Sequence, residues 1–427
     1  MNMRLIIFSL SVLFLFSCKT VTEPNLTDKN DYDKYLTEHK VDTTSKYFEI
    51  WNKKIKADST QFLSFGIVAG EYGRYFKNTG DIRFLKKAEQ SLKKAVNAAN
   101  IGKSGYLRAL ARNYISQHRF REALVLADSA RYYGSKINES QALLFDVHME
   151  LGNYGKAKMY LDSIENHSNF GYLIRVAKWS DYRGNLDITI KYMEKALAKA
   201  ENSKNKQLML WSYTNLADYY GHAGRIKDSY DHYLKSLELD NKNAYAKKGI
   251  AWIVFSHEKN AEEAMRILDS ITKNNKSPDY FLLKAEIAEY MQDEIKSMKN
   301  KEEYYAAIKD PLIEHMYSAY TIPLYLDETG QLSKALDMSK QEVNNRSTPE
   351  AYSLLANSYL KIGEKDLALK ITDEHIIDKT FEPAILFRAA QVYKANGNLK
   401  RVNEIKKELS GAIYELGPSM EGEIAGL

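Results

Sequence analysis

The sequence predicts an all-α chain built as a solenoid of about ten antiparallel helix pairs. Three observations carry this. Only seven of the 427 residues are proline, while 44% are hydrophobic and 27% charged, a composition suited to helices; a single core rarely grows to this length, so several domains or a repeat array are required. Glycines stand at 152, 184, 224, 330, 363 and 397, with gaps of 32, 40, 106, 33 and 34, the longest being close to three further steps of the same size. Around these glycines the residue types recur, with a small residue where two helices cross and a tyrosine or other large residue beside it.

In chain order, the units begin near residues 62, 104, 138, 170, 210, 244, 278, 316, 349 and 383. The first carries about seven extra residues before Ala88. Unit two has Leu107, Leu110, Ala111, Tyr114, Phe120, Ala123, Ala127 and Ala130 at the repeating offsets. Unit three departs from the pattern, with Phe145 in the small-residue slot and His148 in a large one. Unit five repeats it with Tyr213, Leu216, Ala217, Tyr220, Gly224 and Tyr233, and unit nine with Tyr352, Leu355, Ala356, Tyr359, Gly363 and Ala368. Pro323 takes the small slot of unit eight. The stretch Met291–Lys309 is long and charged, and Pro311 opens a helix, so 291–311 reads as an irregular joint between an array at 46–290 and a second at 312–416. The Gly-rich tail, 417–427, is expected to fray.

A period near 34 with these offsets resembles the tetratricopeptide repeat (TPR) family. One such pair cannot bury its apolar face alone, so stacking supplies the core. Ala111 opposite Ala123, and Ala356 opposite Ala368, let helices approach, while Tyr114 and Tyr359 fill the gaps between units. The resemblance implies an elongated right-handed superhelix that binds a partner on its concave face, lined by the second, fifth, ninth, twelfth and thirteenth positions of each unit. Carried over, these are Arg108 and Arg112 in unit two; Lys178, Asp181 and Tyr182 in unit four; Trp211, Asp218 and His222 in unit five; and Tyr245, Lys248, Trp252 and Phe255 in unit six. Units seven and eight add Glu286, Tyr290, Tyr317 and Tyr320. Aromatic side chains beside charges suit a binding groove, although aromatics at helical spacing are ordinarily core. The basic, Asn-containing clamp with which some family members hold a peptide carboxylate is absent, since Thr214 and Asp218 occupy its slots in unit five.

The N-terminus carries a separate signal. Met1-Asn2-Met3-Arg4 precedes the apolar run Leu5–Phe16, too short for a membrane span and suited to an export signal. Leu15-Phe16-Ser17-Cys18 resembles the lipobox of bacterial lipoproteins. This implies that residues 1–17 are removed and that Cys18, the only cysteine in the chain, becomes an acylated N-terminus. Lys19, where Asp would signal inner-membrane retention, implies an outer-membrane address. Residues 18–45 are polar and read as a flexible tether.

No chemistry-bearing motif was found. The nine histidines form no His-Glu-x-x-His or other metal spacing. There is no Gly-x-Ser-x-Gly elbow and no phosphate-cradling glycine loop. Asp240, Asn241 and Asn243 lack the Gly and distal Glu of a calcium loop and read as turn capping. The net charge of +5 is spread along the chain with Lys and Glu interleaved, which does not suit nucleic-acid binding. The expectation is therefore a lipid-anchored, non-enzymatic scaffold at the bacterial envelope, without metal or cofactor, that binds a protein or peptide partner. A SusD-like glycan-binding lipoprotein and a component of outer-membrane protein assembly are the alternatives.

Overall fold

The computed structural model describes residues 26–37, 44–56 and 60–427, apart from the side chains of residues 311 and 312. Residues 1–17, where a leader is expected, and Cys18 lie outside the described residues. Those described are helical, with no strand among them.

Two short N-terminal helices, α1 (Lys29–Tyr32) and α2 (Lys46–Asn52), precede the repeats. Units one to three are α3 (Phe62–Thr79) with α4 (Ile82–Ala98), α5 (Lys103–Ser116) with α6 (Phe120–Tyr132), and α7 (Ile137–Glu150) with α8 (Tyr154–Ser163). Units four to six are α9 (Phe170–Tyr182) with α10 (Leu186–Asn202), α11 (Lys206–His222) with α12 (Ile226–Leu239), and α13 (Ala244–Ser256) with α14 (Ala261–Thr272). Unit seven is α15 (Pro278–Tyr290) with α16 (Glu294–Ala307), followed by a short α17 (Pro311–Glu314). Units eight to ten are α18 (Ser318–Asp327) with α19 (Leu332–Asn345), α20 (Pro349–Lys361) with α21 (Lys365–His375), and α22 (Pro383–Ala395) with α23 (Leu399–Ser410). Two further short helices, α24 (Ile413–Leu416) and α25 (Met420–Gly426), end the chain. The fold is thus a TPR-like solenoid of ten helix pairs, starting close to where the sequence places them.

Each pair is made by the same local physics. The six periodic glycines all have positive φ, between 65° and 92°. The residue after such a turn closes a Schellman bond back over five residues, as in Asn185 N–H to the Ser180 carbonyl (2.9 Å) and Asn398 N–H to that of Tyr393 (2.9 Å). The second helix then starts on a side-chain cap, with Asn185 accepting from the Ile188 amide and Asn398 from that of Arg401. Asn243 caps α13 in the same way, the turn-capping role expected for it. The crossing residues Ala111, Ala123, Ala356 and Ala368 are buried. Phe145, in the small slot of unit three, is fully buried and shares a cluster with Ala157 and Tyr160.

Four expectations are corrected. Residues 26–37 do not form a flexible tether, because they dock on units five and six. There the buried Tyr32 donates to Glu263 (2.8 Å), Thr27 bonds Glu258 through its amide (2.7 Å), and Lys29 and Arg266 ion-pair with Glu263. The stretch 291–311 is not a joint, since α16 is a regular helix that buries Tyr304, whose hydroxyl meets Thr321 at 2.6 Å. The tail does not fray; α25 packs on α23 with Ile424 buried.

Nor is the body an open, elongated spiral. The turn of unit one meets the loop after unit six, with the Lys276 amide donating to the Thr79 carbonyl at 2.8 Å. Arg121 donates to the Asn344 carbonyl (2.8 Å) and Asn345 to that of His118 (3.0 Å), joining unit two to the C-terminal end of α19 in unit eight. At the turns of units three and four the approach is so close that a Cβ on Gly152 would lie 2.4 Å from the Ser347 carbonyl oxygen, and one on Gly184 2.6 Å from the Phe381 ring. The superhelix therefore closes on itself within one turn.

Candidate binding chamber and inner groove

Closure converts part of the concave face into a half-open chamber. Between units three to five on one side and the loops before units nine and ten on the other lies a chamber of about 480 Å³. Because α9 presents one face inward, Lys178, Asp181 and Tyr182 line it. Tyr154 stacks on Tyr182 with ring centroids 4.0 Å apart. Lys178 is held by Glu150 at 2.7 Å, and Arg346 by Glu350 at 2.7 Å. Phe381 and Glu382 enter from the loop between units nine and ten, and Glu415 from the C-terminal segment.

The carboxylates are mutually unfavourable. Burial, reinforced by Glu382, pushes Asp181 up to about 6. Burial, reinforced by Asp181, pushes Glu415 up to about 7. Glu382 is raised by burial and then by Glu415. His222 lies 3.8 Å from Glu415. An incoming ammonium or guanidinium group would relieve this repulsion, whereas a phosphate would aggravate it. Among the described residues no group of three or more His, Cys, Asp or Glu is placed to hold a metal ion.

The inner groove continues past the chamber along α11, α13 and α15. Asp218 accepts hydrogen bonds from Tyr233 and from Tyr245 (2.8 Å); burial nonetheless raises its pKa. Lys248 sits over the Tyr245 ring, 5.1 Å from its centroid. Trp252 packs edge-on to Phe255, which packs edge-on to Tyr290.

The residues expected on the concave face divide three ways. Lys178, Tyr182, Asp181 and His222 meet in the chamber, and Trp211, Tyr245, Tyr290 and Tyr320 keep 39–51% of their surface exposed. Arg112 is also exposed, and Tyr317 is half-buried against Tyr304 and Tyr320. Two expectations are corrected outright. Arg108 is buried, bonded through Nη1 to Ser104 (2.7 Å), the Ser135 carbonyl (2.9 Å) and Ser140 (3.1 Å), and it fastens unit two to unit three. Phe255 is fully buried in the core of unit six. Trp252 faces the groove but is covered, as its Nε1–H donates to the Tyr414 carbonyl at 3.0 Å. The template missed Arg346, Phe381, Glu382, Tyr414 and Glu415, which lie in inter-unit loops and the C-terminal segment, where unit-by-unit offsets do not reach.

No family model matches the sequence, and no curated protein matches it. Among solved structures the chain is similar to a human IFIT1 dimer with PPP-AAAA, at 15% identity and a TM-score of 0.44, over 85% of this chain and 94% of that one. It is also similar to a monomeric mutant of IFIT1 with Gppp-AAAA, at 13% identity and a TM-score of 0.45, over 83% and 82% of the two chains. A likeness of this size says nothing of what this chain binds.

Proposed function

We propose that the chain is a lipid-anchored, non-enzymatic scaffold of the bacterial envelope that holds a peptide segment of a partner protein in the chamber. The observation that carries the reading is the chamber itself: a 480 Å³ space walled by a stacked tyrosine pair and by both signs of charge. Concave sites of this size, with aromatic walls and a few polar groups, are where proteins take ligands. The acidic side favours a segment carrying Lys or Arg, and the stacked rings favour an apolar or aromatic neighbour. The anchor rests on Cys18 and its preceding apolar run. Two acyl chains hold a protein on a membrane stably, whereas one does not.

The test is to place a photo-crosslinking residue at Tyr182 or Phe381 in cells and identify what it captures, with exposed Leu399 as a control. A single protein captured at both chamber positions and not at the control supports the reading. Capture of glycan instead would favour the SusD-like alternative, and identical capture at all three positions would remove the chamber from the account. Mass spectrometry of the mature N-terminus tests the anchor separately. An acylated Cys18 is expected, and a soluble product beginning elsewhere would contradict it.

A further inference from the structure

The groove beyond the chamber is already filled, and by this chain. After α23 the backbone leaves the tenth unit, crosses the inner face of units five to seven through α24, and returns as α25 to pack on α23. The contacts along this strap resemble those of a bound peptide more than those of a repeat. Its main-chain carbonyl at Tyr414 is captured by two side chains of one helix, Trp252 Nε1–H (3.0 Å) and Ser256 Oγ–H (2.7 Å). The Tyr414 ring lies against α11 at Gly221, where a Cβ would sit 2.7 Å from it. Gly417, at φ 85°, lets the strap pass within a Cβ's reach of Trp252, since one built there would lie 3.1 Å from the indole. Recognition of a backbone carbonyl by fixed side-chain donors does not depend on the sequence that carries it, while a pocket for one aromatic ring does.

We propose that the inner face of units five to seven is a peptide site occupied in the resting chain by residues 411–419, and that it opens to take from a partner a segment of the same chemistry: an aromatic residue seated on Gly221, its carbonyl on Trp252 and Ser256, and a glycine three residues on. The strap suits displacement. Its helix is four residues long, it is flanked by Gly411 and Gly417, and the helix that anchors it afterwards, α25, packs on α23 and can stay in place. The proposal deepens the scaffold reading; the strap lends Glu415 to the chamber wall, but its seat on Gly221, Trp252 and Ser256 lies outside the chamber, so peptide binding there and partner capture at Tyr182 can fail separately.

The experiment uses the full chain with residues 412–417 replaced by a Gly/Ser linker of equal length, and as probe a fluorescent peptide of residues 411–419. The linker variant is expected to bind the peptide at least about tenfold more tightly than the unaltered chain. Adding Trp252→Phe, which removes the indole donor but keeps an aromatic ring, is expected to weaken that binding by about five- to tenfold, the value of one hydrogen bond. A peptide with Tyr414 replaced by Ala should not bind. Equal weak binding by the linker variant and the unaltered chain overturns the proposal. Hydrogen exchange on the unaltered chain decides independently of how the variant folds. Amides of 413–417 should exchange faster than those of α23 by local opening, and exchange only through global unfolding overturns it.

Discussion

At the scale of single residues, the glycine spacing shows both how far the sequence is legible and where it stops. Its gap of 40 reflects the longer helices α10 and α11, of 17 residues each, while its gap of 106 spans turns that carry no glycine. In units two, six and seven the same left-handed turn position is filled by His118, Lys259 and Gln292, with φ of 55°, 54° and 60°. A non-glycine residue there costs about 1–2 kcal/mol, so a search keyed to glycine passes over it. Lys259→Gly and Gln292→Gly should therefore raise the melting temperature slightly, each by less than about 1 kcal/mol once the extra freedom of unfolded glycine is subtracted. Thermal denaturation checks this, and lower stability in both would contradict the turn assignment. Residue type alone also could not separate lining from core. Arg108 stands at a concave offset, yet the hydroxyls of Ser104 and Ser140 draw it inward. Arg108→Ala should cost about 3 kcal/mol of stability by stranding this network, with partner binding falling only in proportion to folded protein. Phe255→Ala should likewise cost about 3–5 kcal/mol, while Trp211→Ala, at a position 39% exposed, should cost little.

At the scale of elements, the helix pairs were legible because each is specified within some 34 residues. What lies outside a pair was not. The N-terminal segment, the loops after units eight and nine, and the C-terminal strap gain their structure from partners more than a hundred residues away, and no local pattern encodes that. The two terminal segments respond to pH with opposite signs. Glu263 beneath Tyr32 is pushed up by burial, but hydrogen bonds from Arg266, Lys29 and Tyr32 outweigh this and hold it at about 2, below the ordinary 4.5. Its contribution to docking residues 26–37 is thus complete above 4.5 and lost as pH falls towards 2. Glu415 on the C-terminal strap and Glu286 on the helix α15 beneath it are both pushed up to about 7. Burial acts first on each, followed by Asp181 for Glu415 and by Glu289 for Glu286, with a hydrogen bond from Ser419 opposing the second. The charged groups facing them also include Glu382 and His222, and Lys259 pairs with Glu421 at the far end of the strap. Their contribution is complete below 4.5 and is lost as pH rises through about 7. Hydrogen exchange at pH 5.5 and 8 should show the C-terminal strap better protected at the lower value after correction for intrinsic rates. Glu415→Gln together with Glu286→Gln should remove the difference, and persistence of the difference in that variant would contradict the assignment.

At the scale of the whole molecule, repeat arrays are ordinarily modular, because each unit touches only its neighbours. Closure changes that here. Units one to four contact the loops after units six, eight and nine and the end of α19, so removing the last units also strips contacts from the first. Truncation after residue 345 should destabilise the turns near Gly152 and Gly184, which lose Ser347 and Phe381, as well as the new end, which site-resolved hydrogen exchange would show. Closure is also what forms the chamber and gives the C-terminal strap a groove to cross, so the functional reading depends on it. The most direct test is pulsed electron paramagnetic resonance on spin labels at Arg183 and Lys379, exposed residues beside Gly184 and Phe381 on opposite sides of the closure. The closed superhelix predicts one narrow distribution at the short end of the measurable range. A broad distribution at long distance would mean an open spiral, with neither chamber nor covered groove.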